Sequence, residues 1–180
     1  YIFTFVGIED SLVMHLSIGT SFLIIIPNSI VSTITHMKFK AVDFNIVKTF
    51  GVFVIIGVIF GTIFAVNLKT SSLILFFSIM TMIFAIYFLI EKEKINPTPR
   101  KINLVYRVFL GFLSGFLSAP MGIGGGVYNT PIFKIFGYSI NIAIGSSAAI
   151  GFLISLVGAL GYASSGSYLN INAPLSLGFV

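Results

Sequence analysis

The length of its uninterrupted apolar segments is the feature that most constrains how this chain folds. Three such segments occupy residues 12–35, 44–66 and 71–90. A helix needs about 20 apolar residues to cross a bilayer core of about 30 Å, so each segment is long enough to span a membrane once. The apolar residues do not alternate with polar ones, which argues against spanning β-strands. Helices satisfy their own backbone groups in lipid, and an all-α, polytopic transmembrane helical bundle is therefore predicted.

Low charge content identifies lipid as the solvent of most of the chain. Charged residues make up 8% of the sequence and hydrophobic residues 57%, whereas a soluble domain carries about 25% charged residues. The net charge of +5 comes from basic residues in a few loops, which favours membrane topology over nucleic-acid binding as its cause. Cysteine is absent, which excludes disulfides and thiolate metal sites. We expect a multi-pass protein of the cell membrane (the inner membrane in a Gram-negative cell), with the lipid bilayer as partner and no nucleic acid, metal or cofactor.

A charged stretch with two prolines divides the apolar segments into two groups. It reads EKEKINPTPR over residues 91–100, and its prolines prevent a helix from continuing. We assign residues 91–103 as a cytoplasmic linker within a single transmembrane domain that covers residues 1–180. Residues 1–90 form a first repeat and residues 104–180 a second. The second repeat comprises a broken segment at 104–136, a span at 140–162 and the start of another span at 174–180.

A short internal repeat supports this division. The sequence SIGTS at residues 17–21 resembles AIGSS at residues 143–147, and each copy lies in a long span. The loop after the first span is basic, while the corresponding loop at 163–172 has no charge. Because basic loops stay in the cytoplasm, the two repeats are predicted to be inverted. A glycine-rich break precedes the second copy but not the first, so we expect further segments of the protein beyond both ends of this chain.

This glycine-rich break lies at membrane depth. Residues 110–131 read LGFLSGFLSAPMGIGGGVYNTP. Pro120 is predicted to end one helical piece, and Pro131 to interrupt the next, because proline removes a hydrogen-bond donor and clashes with the preceding turn. Irregular backbone persists in a membrane only where protein or a water-filled cavity satisfies it. The break is therefore the predicted functional site.

Free backbone amides at the break favour an anion as the ligand. The first four N–H groups of a helix lack internal partners and carry partial positive charge. Hydroxyl groups in the repeated segments either line a pseudo-symmetric site at the membrane midplane or bond back to their own helix carbonyls, and the sequence leaves both alternatives open. The predicted substrate-binding residues are Gly122, Gly124, Gly125, Gly126, Tyr128, Asn129, Thr20, Ser21, Ser146 and Ser147. Two other glycine pairs, Gly57 with Gly61 and Gly111 with Gly115, are predicted to pack helices together.

In combination, these motifs resemble the sulfite exporter TauE/SafE family of membrane permeases. The resemblance rests on the run GFLSGFLSAPMGIGGGVYNTPIF, on the following AIGSSAAIGFLISLVGALGY, and on the GTS segment of the first repeat. It covers nearly the whole chain. Ser146 stands where the family more often has threonine, and the first-half glycine break is absent from this sequence.

The resemblance implies a secondary transporter for small sulfur-containing or organic anions, such as sulfite, thiosulfate or an organosulfonate. An anion channel and a non-transporting membrane assembly subunit are the alternatives, and a homodimer is left open as the oligomeric state. An enzyme is not expected, because the sequence offers no metal-ligand cluster, no paired catalytic carboxylates and no histidine-backed nucleophile. The glycine run also lacks the lysine of a phosphate loop, so ATP-driven transport by this chain is not expected.

Overall fold

A computed structural model of the protein describes residues 10–90 and 102–168. The described residues form six α-helices and no β-strand, which confirms the all-α prediction. Five of the helices are long and apolar enough to cross a membrane. Most of the predicted linker and the span start at 174–180 lie outside the described residues. The helices are α1 (Val13–Lys38), α2 (Phe44–Val66), α3 (Thr70–Ile90), α4 (Leu104–Met121), α5 (Gly126–Ile135) and α6 (Ile140–Tyr168).

A side-chain cap fixes the start of α2. α1 ends at Lys38, and Lys40 adopts a positive φ of 54° in the connection that follows. The Asp43 carboxylate then accepts hydrogen bonds from the amides of Asn45 and Ile46, at 2.9 and 3.3 Å. Such a cap satisfies amides that have no partner inside the helix. The first residue of α2 is therefore the one that the sequence predicted.

Glycines bring α2 and α4 into close contact. A Cβ atom at Gly57 would overlap the carbonyl oxygen of Phe112, and a Cβ atom at Gly115 would overlap that of Val54. Because neither glycine has a side chain, the two backbones approach each other directly. The predicted packing role of these glycines is confirmed.

The short helix α5 turns back along the path of α4. α2 and α4 run in the same direction, because Gly111 packs against Phe50 near their starts and Gly61 packs against Ala119 near their ends. The Phe133 ring, near the end of α5, also meets the Phe50 ring, with centroids 5.2 Å apart. α4 and α5 therefore form a hairpin whose two open ends lie at the same face of the bundle.

The longest helix, α6, packs along α1 in the opposite direction. The Phe22 and Tyr162 rings lie 6.1 Å apart, between the first half of α1 and the last part of α6. At the other end, Gly145 packs against the carbonyl of Ala41, just beyond α1. The Tyr162 hydroxyl donates a 3.1 Å hydrogen bond to the carbonyl of Ala119. α6 therefore joins α1 to α4 in the centre of the bundle.

Basic residues concentrate at one face of the bundle, which we call the basic face. This face contains the end of α1, the starts of α2, α4 and α6, and the end of α5. Burial raises the pKa of Tyr138 there; the nearby Asp43 raises it further and Arg107 opposes the change. The α4–α5 hairpin opens on the basic face, as inverted repeats require, and the inversion itself stays a prediction. The basic face carries Lys38, Lys40, Lys48, Arg107 and Lys134.

The third helix, α3, has the least contact with the rest of the bundle. Leu73 is the buried residue of this helix. The Phe84 ring meets the Tyr128 ring of α5, with centroids 4.7 Å apart. Nearly all of the remaining apolar surface of α3 faces outward. A helix that satisfies its own backbone groups and is apolar on all sides is suited to lipid.

Candidate functional site

The chain leaves the helical conformation between α4 and α5. α4 ends at Met121, and Gly122 follows in the left-handed conformation, with φ 63° and ψ 33°. Glycine adopts this conformation without the steric cost that a Cβ atom brings. α5 begins at Gly126, so residues 122–125 form a non-helical loop between two apolar helices. We call this loop and the first turn of α5 the break.

The two prolines near the break do not end helices, contrary to the prediction. Pro120 lies inside α4, which continues to Met121. Pro131 lies inside α5, which continues to Ile135. Proline removes one helical hydrogen bond, but its fixed φ of about −65° is itself helical. The left-handed glycine, and not the proline, marks the end of α4.

The amino end of α5 presents backbone amides that have no backbone acceptor. Along α5, the first backbone amide that donates to a backbone carbonyl is that of Asn129, which bonds to the Gly125 carbonyl at 2.8 Å. Within the described part of the chain, the amides of Gly126, Val127 and Tyr128 donate to no backbone carbonyl. Free amides at a helix start carry partial positive charge. The break therefore presents a set of hydrogen-bond donors without a charged side chain.

The Asn129 side chain adds a donor to the same place. It is fully buried, and its Oδ1 accepts a 2.6 Å hydrogen bond from Ser114 Oγ. Its Nδ2 has no hydrogen-bond partner among the described residues. This nitrogen lies 2.5 Å from the position that a Cβ atom of Gly125 would occupy, so it lies beside the amino end of α5. A buried donor without an acceptor costs about 1–3 kcal/mol, which a bound acceptor offsets.

Two buried hydroxyl groups from neighbouring helices also lie near the break. A Cβ atom at Gly125 would lie 3.1 Å from both the carbonyl oxygen of Ser147 and the amide nitrogen of Gly151, so α6 passes directly against the loop. The Ser147 hydroxyl is buried without a partner in the described structure, and so is the hydroxyl of Ser118 in the last turn of α4. The helices that flank the loop, α4, α5 and α6, thus each carry a buried polar atom that lacks a partner among the described residues.

The other predicted hydroxyl groups are already hydrogen-bonded. Thr20 Oγ1 and Ser21 Oγ each donate to a carbonyl of their own helix four residues earlier, at 2.7 and 2.8 Å. Ser146 Oγ accepts a 3.0 Å hydrogen bond from the amide of Asp43. Thr20 and Ser21 therefore follow the second of the two alternatives that the sequence left open. Whether they also contact substrate stays a prediction.

The loop of the break packs against one face of α1. A Cβ atom at Gly122 would lie 3.1 Å from Ile18 Cα, and one at Gly124 would lie 3.2 Å from Ile25 Cγ2. Ser21 is three residues after Ile18 and four before Ile25, so it shares their helix face. Thr20 does not share this face. Ser21 therefore lies on the face of α1 that packs against the loop, whereas Ser146 is bonded to the amide of Asp43 at the start of α2.

Comparison with known proteins assigns the chain to a family. The sequence profile described as Sulfite exporter TauE/SafE matches residues 2–180. The chain belongs to the TauE/SafE family. No solved structure matches it.

Curated relatives of this TauE/SafE chain are named as membrane transporters. A probable membrane transporter protein of Methanocaldococcus jannaschii is 29% identical, over 90% of this chain and 60% of that protein. One of Haemophilus influenzae is 27% identical, over 100% of this chain and 68% of the relative. The probable membrane transporter protein YunE of Bacillus subtilis is 26% identical, over 84% of this chain and 63% of that protein. The chain thus spans between 60% and 68% of the length of these relatives. With five candidate spans, it is a multi-pass protein of the cell membrane.

Two predicted site residues of the TauE/SafE chain differ in their surroundings. The Tyr128 hydroxyl donates to the sulfur of Met121, and its ring packs against Phe84, so both parts of this side chain are occupied. Gly126 is open, because a Cβ atom there would meet nothing within 4 Å. Tyr128 therefore closes one side of the break, whereas Gly126 leaves room at the helix start.

Sequence reasoning did not find the two serines of α4. Ser114 and Ser118 are four residues apart, and both are buried. Residues at this spacing lie on the same face of a helix, and Ser114 directly precedes Gly115 of the glycine pair. The sequence signal that could have identified them is the pair of serines four residues apart, just before a glycine-rich loop. No group of three or more metal-ligating side chains occurs in residues 10–90 and 102–168.

Proposed function

We propose that the complete protein is a secondary transporter that carries small anions across the cell membrane and binds them at the break. The observation that carries the proposal is the buried Nδ2 of Asn129, which has no partner among the described residues and lies beside the free amides of α5. A bound acceptor would complete these hydrogen bonds. Transporters with discontinuous helices bind substrates at such half-helix ends.

Neutral donors suit a site that must release its ligand. A helix amino end attracts an anion through its dipole and its free N–H groups, without a fixed cation. The described side chains named at the break are an amide, hydroxyls and apolar groups, so among them no carboxylate repels an anion and no lysine holds it permanently. Binding of moderate strength follows, as alternating access requires.

A sulfur oxyanion is the substrate class that we favour. Sulfite, thiosulfate and organosulfonates each present several acceptor oxygens, which match the several donors of the break. The family name supports sulfite, whereas the relatives are named only as probable membrane transporters. An anion channel would use the same donors. A non-transporting assembly subunit would have no use for buried donors without partners, so it is the less favoured alternative.

The basic face is proposed to be cytoplasmic. Five of the basic residues described in the structure lie at this face, and Lys69 lies at the opposite one. Basic residues are retained on the cytoplasmic side during membrane insertion. The α4–α5 hairpin would then open toward the cytoplasm, with its tip directed toward the outside.

Anion flux into liposomes tests this function directly. The full-length protein is reconstituted into liposomes. Uptake of sulfite, thiosulfate, a short alkylsulfonate and acetate is then measured in turn, with protein-free liposomes as the control. We expect saturable uptake of at least one sulfur oxyanion that the other sulfur oxyanions inhibit. Acceleration of uptake by unlabelled anion on the far side identifies a carrier, because a channel shows no such exchange. A folded protein that moves none of the four anions contradicts the proposal.

A further inference from the structure

A cavity separate from the break lies between α1, α2 and α6, near the basic face. Its volume is about 250 Å³. α6 faces the cavity with Ala149, Phe152 and Leu153, whereas Ser147 and Gly151 of the same helix face the break. The two sites therefore occupy different sides of α6. The cavity is lined by Ile30, Thr33, Ile34, Phe44, Val47, Ala149, Phe152 and Leu153.

The lining of this cavity offers hydrocarbon contacts and almost no polar ones. Thr33 is the one polar residue among the described residues that line it, and the Thr33 hydroxyl donates to the Ser29 carbonyl of its own helix at 2.7 Å. Ile30, Ile34 and Phe44 remain 39%, 51% and 47% exposed, so the cavity opens onto the apolar outer surface of the described helices. Apolar cavities do not hold water well. An apolar cavity that opens onto such a surface is therefore suited to an acyl chain.

Two lysines lie one helical turn from residues that line the cavity. Lys38 is four residues after Ile34 in α1, and Lys48 is four residues after Phe44 in α2, so each shares a helix face with a lining residue. Both lysines are exposed. The nearby Asp43 carboxylate is already bonded to two backbone amides as the cap of α2. Cationic side chains therefore lie within one helical turn of the cavity, on the part of the bundle that forms the basic face.

We propose that this cavity is a binding site for an anionic phospholipid. One acyl chain occupies the cavity, and the headgroup phosphate lies against Lys38 and Lys48. The volume is below the roughly 300–1,000 Å³ of ordinary ligand pockets, so it admits part of one chain and leaves the headgroup outside. Basic pockets between transmembrane helices recognise anionic headgroups by charge. The site requires no transport activity and does not depend on the proposed function.

Lipid titration of the full-length protein in detergent tests the assignment. Native mass spectrometry measures retained lipid, and thermal unfolding measures the shift in Tm, for phosphatidylglycerol and for phosphatidylcholine with the same chains. We expect phosphatidylglycerol to bind more tightly and to raise the Tm more. Lys38→Gln and Lys48→Gln should each weaken its binding about fivefold. Lys69→Gln is the matched control from the opposite face and should leave binding unchanged.

Filling the cavity tests the acyl-chain part of the assignment. Ala149→Leu extends a side chain into the cavity and should reduce lipid retention while both lysines remain. Glycerol phosphate, which has the headgroup charge without the chain, should not raise the Tm. Equal binding of the two lipids, equal effects of the three lysine substitutions, unchanged retention in Ala149→Leu, or full stabilisation by glycerol phosphate would each overturn the proposal.

Discussion

The hydroxyl of Ser114 donates a 2.6 Å hydrogen bond to Oδ1 of Asn129, and so ties α4 to α5 across the break. Because the amide oxygen is used in this bond, the Nδ2 group of Asn129 is the part of the side chain that has no partner in the described part of the chain. Ser114 therefore orients the Asn129 side chain, and the Nδ2 group of Asn129 is the hydrogen-bond donor at the break.

Asn129→Asp should abolish most anion transport without unfolding the protein. Aspartate retains an oxygen for Ser114 but replaces the free donor by an acceptor, and, when ionised, repels an anion. Loss of a hydrogen bond to a charged ligand costs about 1.5–3 kcal/mol, so flux at low substrate should fall at least about tenfold. Ser114→Ala keeps the Nδ2 group and should reduce flux less. Wild-type flux in Asn129→Asp liposomes would remove this residue from the site.

Gly125→Ala and Gly126→Ala form a matched pair at the break. At Gly125 a Cβ atom would lie 2.5 Å from Asn129 Nδ2 and 3.1 Å from two backbone atoms of α6, whereas at Gly126 it would meet nothing within 4 Å. Overpacking costs about 1–3 kcal/mol, so Gly125→Ala should reduce anion flux about fivefold or more. Gly126→Ala should retain flux. Similar flux in the two variants would show that transport does not depend on close packing at this loop.

Gly57→Ala and Gly115→Ala should destabilise the fold and not act on substrate binding directly. Each new Cβ atom would overlap a carbonyl oxygen of the facing helix, so α2 and α4 must separate at a cost of about 1–3 kcal/mol. Thermal unfolding in detergent should show a lower Tm. Ile59→Ala, at a position 46% exposed on α2, is the control and should change the Tm little. A control shift as large as the glycine shifts would contradict this account.

Single cysteines provide a test of orientation, because this chain has no cysteine of its own. Lys40→Cys lies in the connection at the basic face, and Ser165→Cys lies near the end of α6 at the opposite face. A membrane-impermeant maleimide added to intact cells should label Ser165→Cys, and should label Lys40→Cys only after permeabilisation. Labelling of both from the same side would reject the opposite-face arrangement, and the reversed pattern would reject a cytoplasmic basic face.

The spans were predictable because their signal is local. Runs of about 20 apolar residues fix a membrane helix by length alone, and α2 matches the predicted residues 44–66 at both ends. The end of α4 was predicted less well, because the prediction assigned it to a proline. Pro120 lies within α4 because one missing hydrogen bond does not outweigh the packing around it, and the end depends on the backbone conformation of Gly122.

The candidate site was predictable only in part, because half of it depends on contacts between helices. The glycines marked the loop, Asn129 was named from its place just after them, and Ser147 was named from the repeated segment. The bond from Ser114 to Asn129 could not be predicted from sequence, since it requires the exact return angle of α5. Likewise, whether the Thr20 and Ser147 hydroxyls turn to their own helix or away from it depends on which neighbours cover them.

The shortness of α5 has an electrical consequence for an anion held at its amino end. Ten residues of helix rise about 15 Å, which is half of a hydrocarbon core of about 30 Å. With the end of α5 at the basic face, Gly126 lies near the middle of the membrane field. A monovalent anion bound there has therefore crossed about half of the transmembrane voltage, whichever side it entered from. Its occupancy should respond to voltage by about 1.2 kcal/mol per 100 mV, in opposite senses for entry from the two compartments.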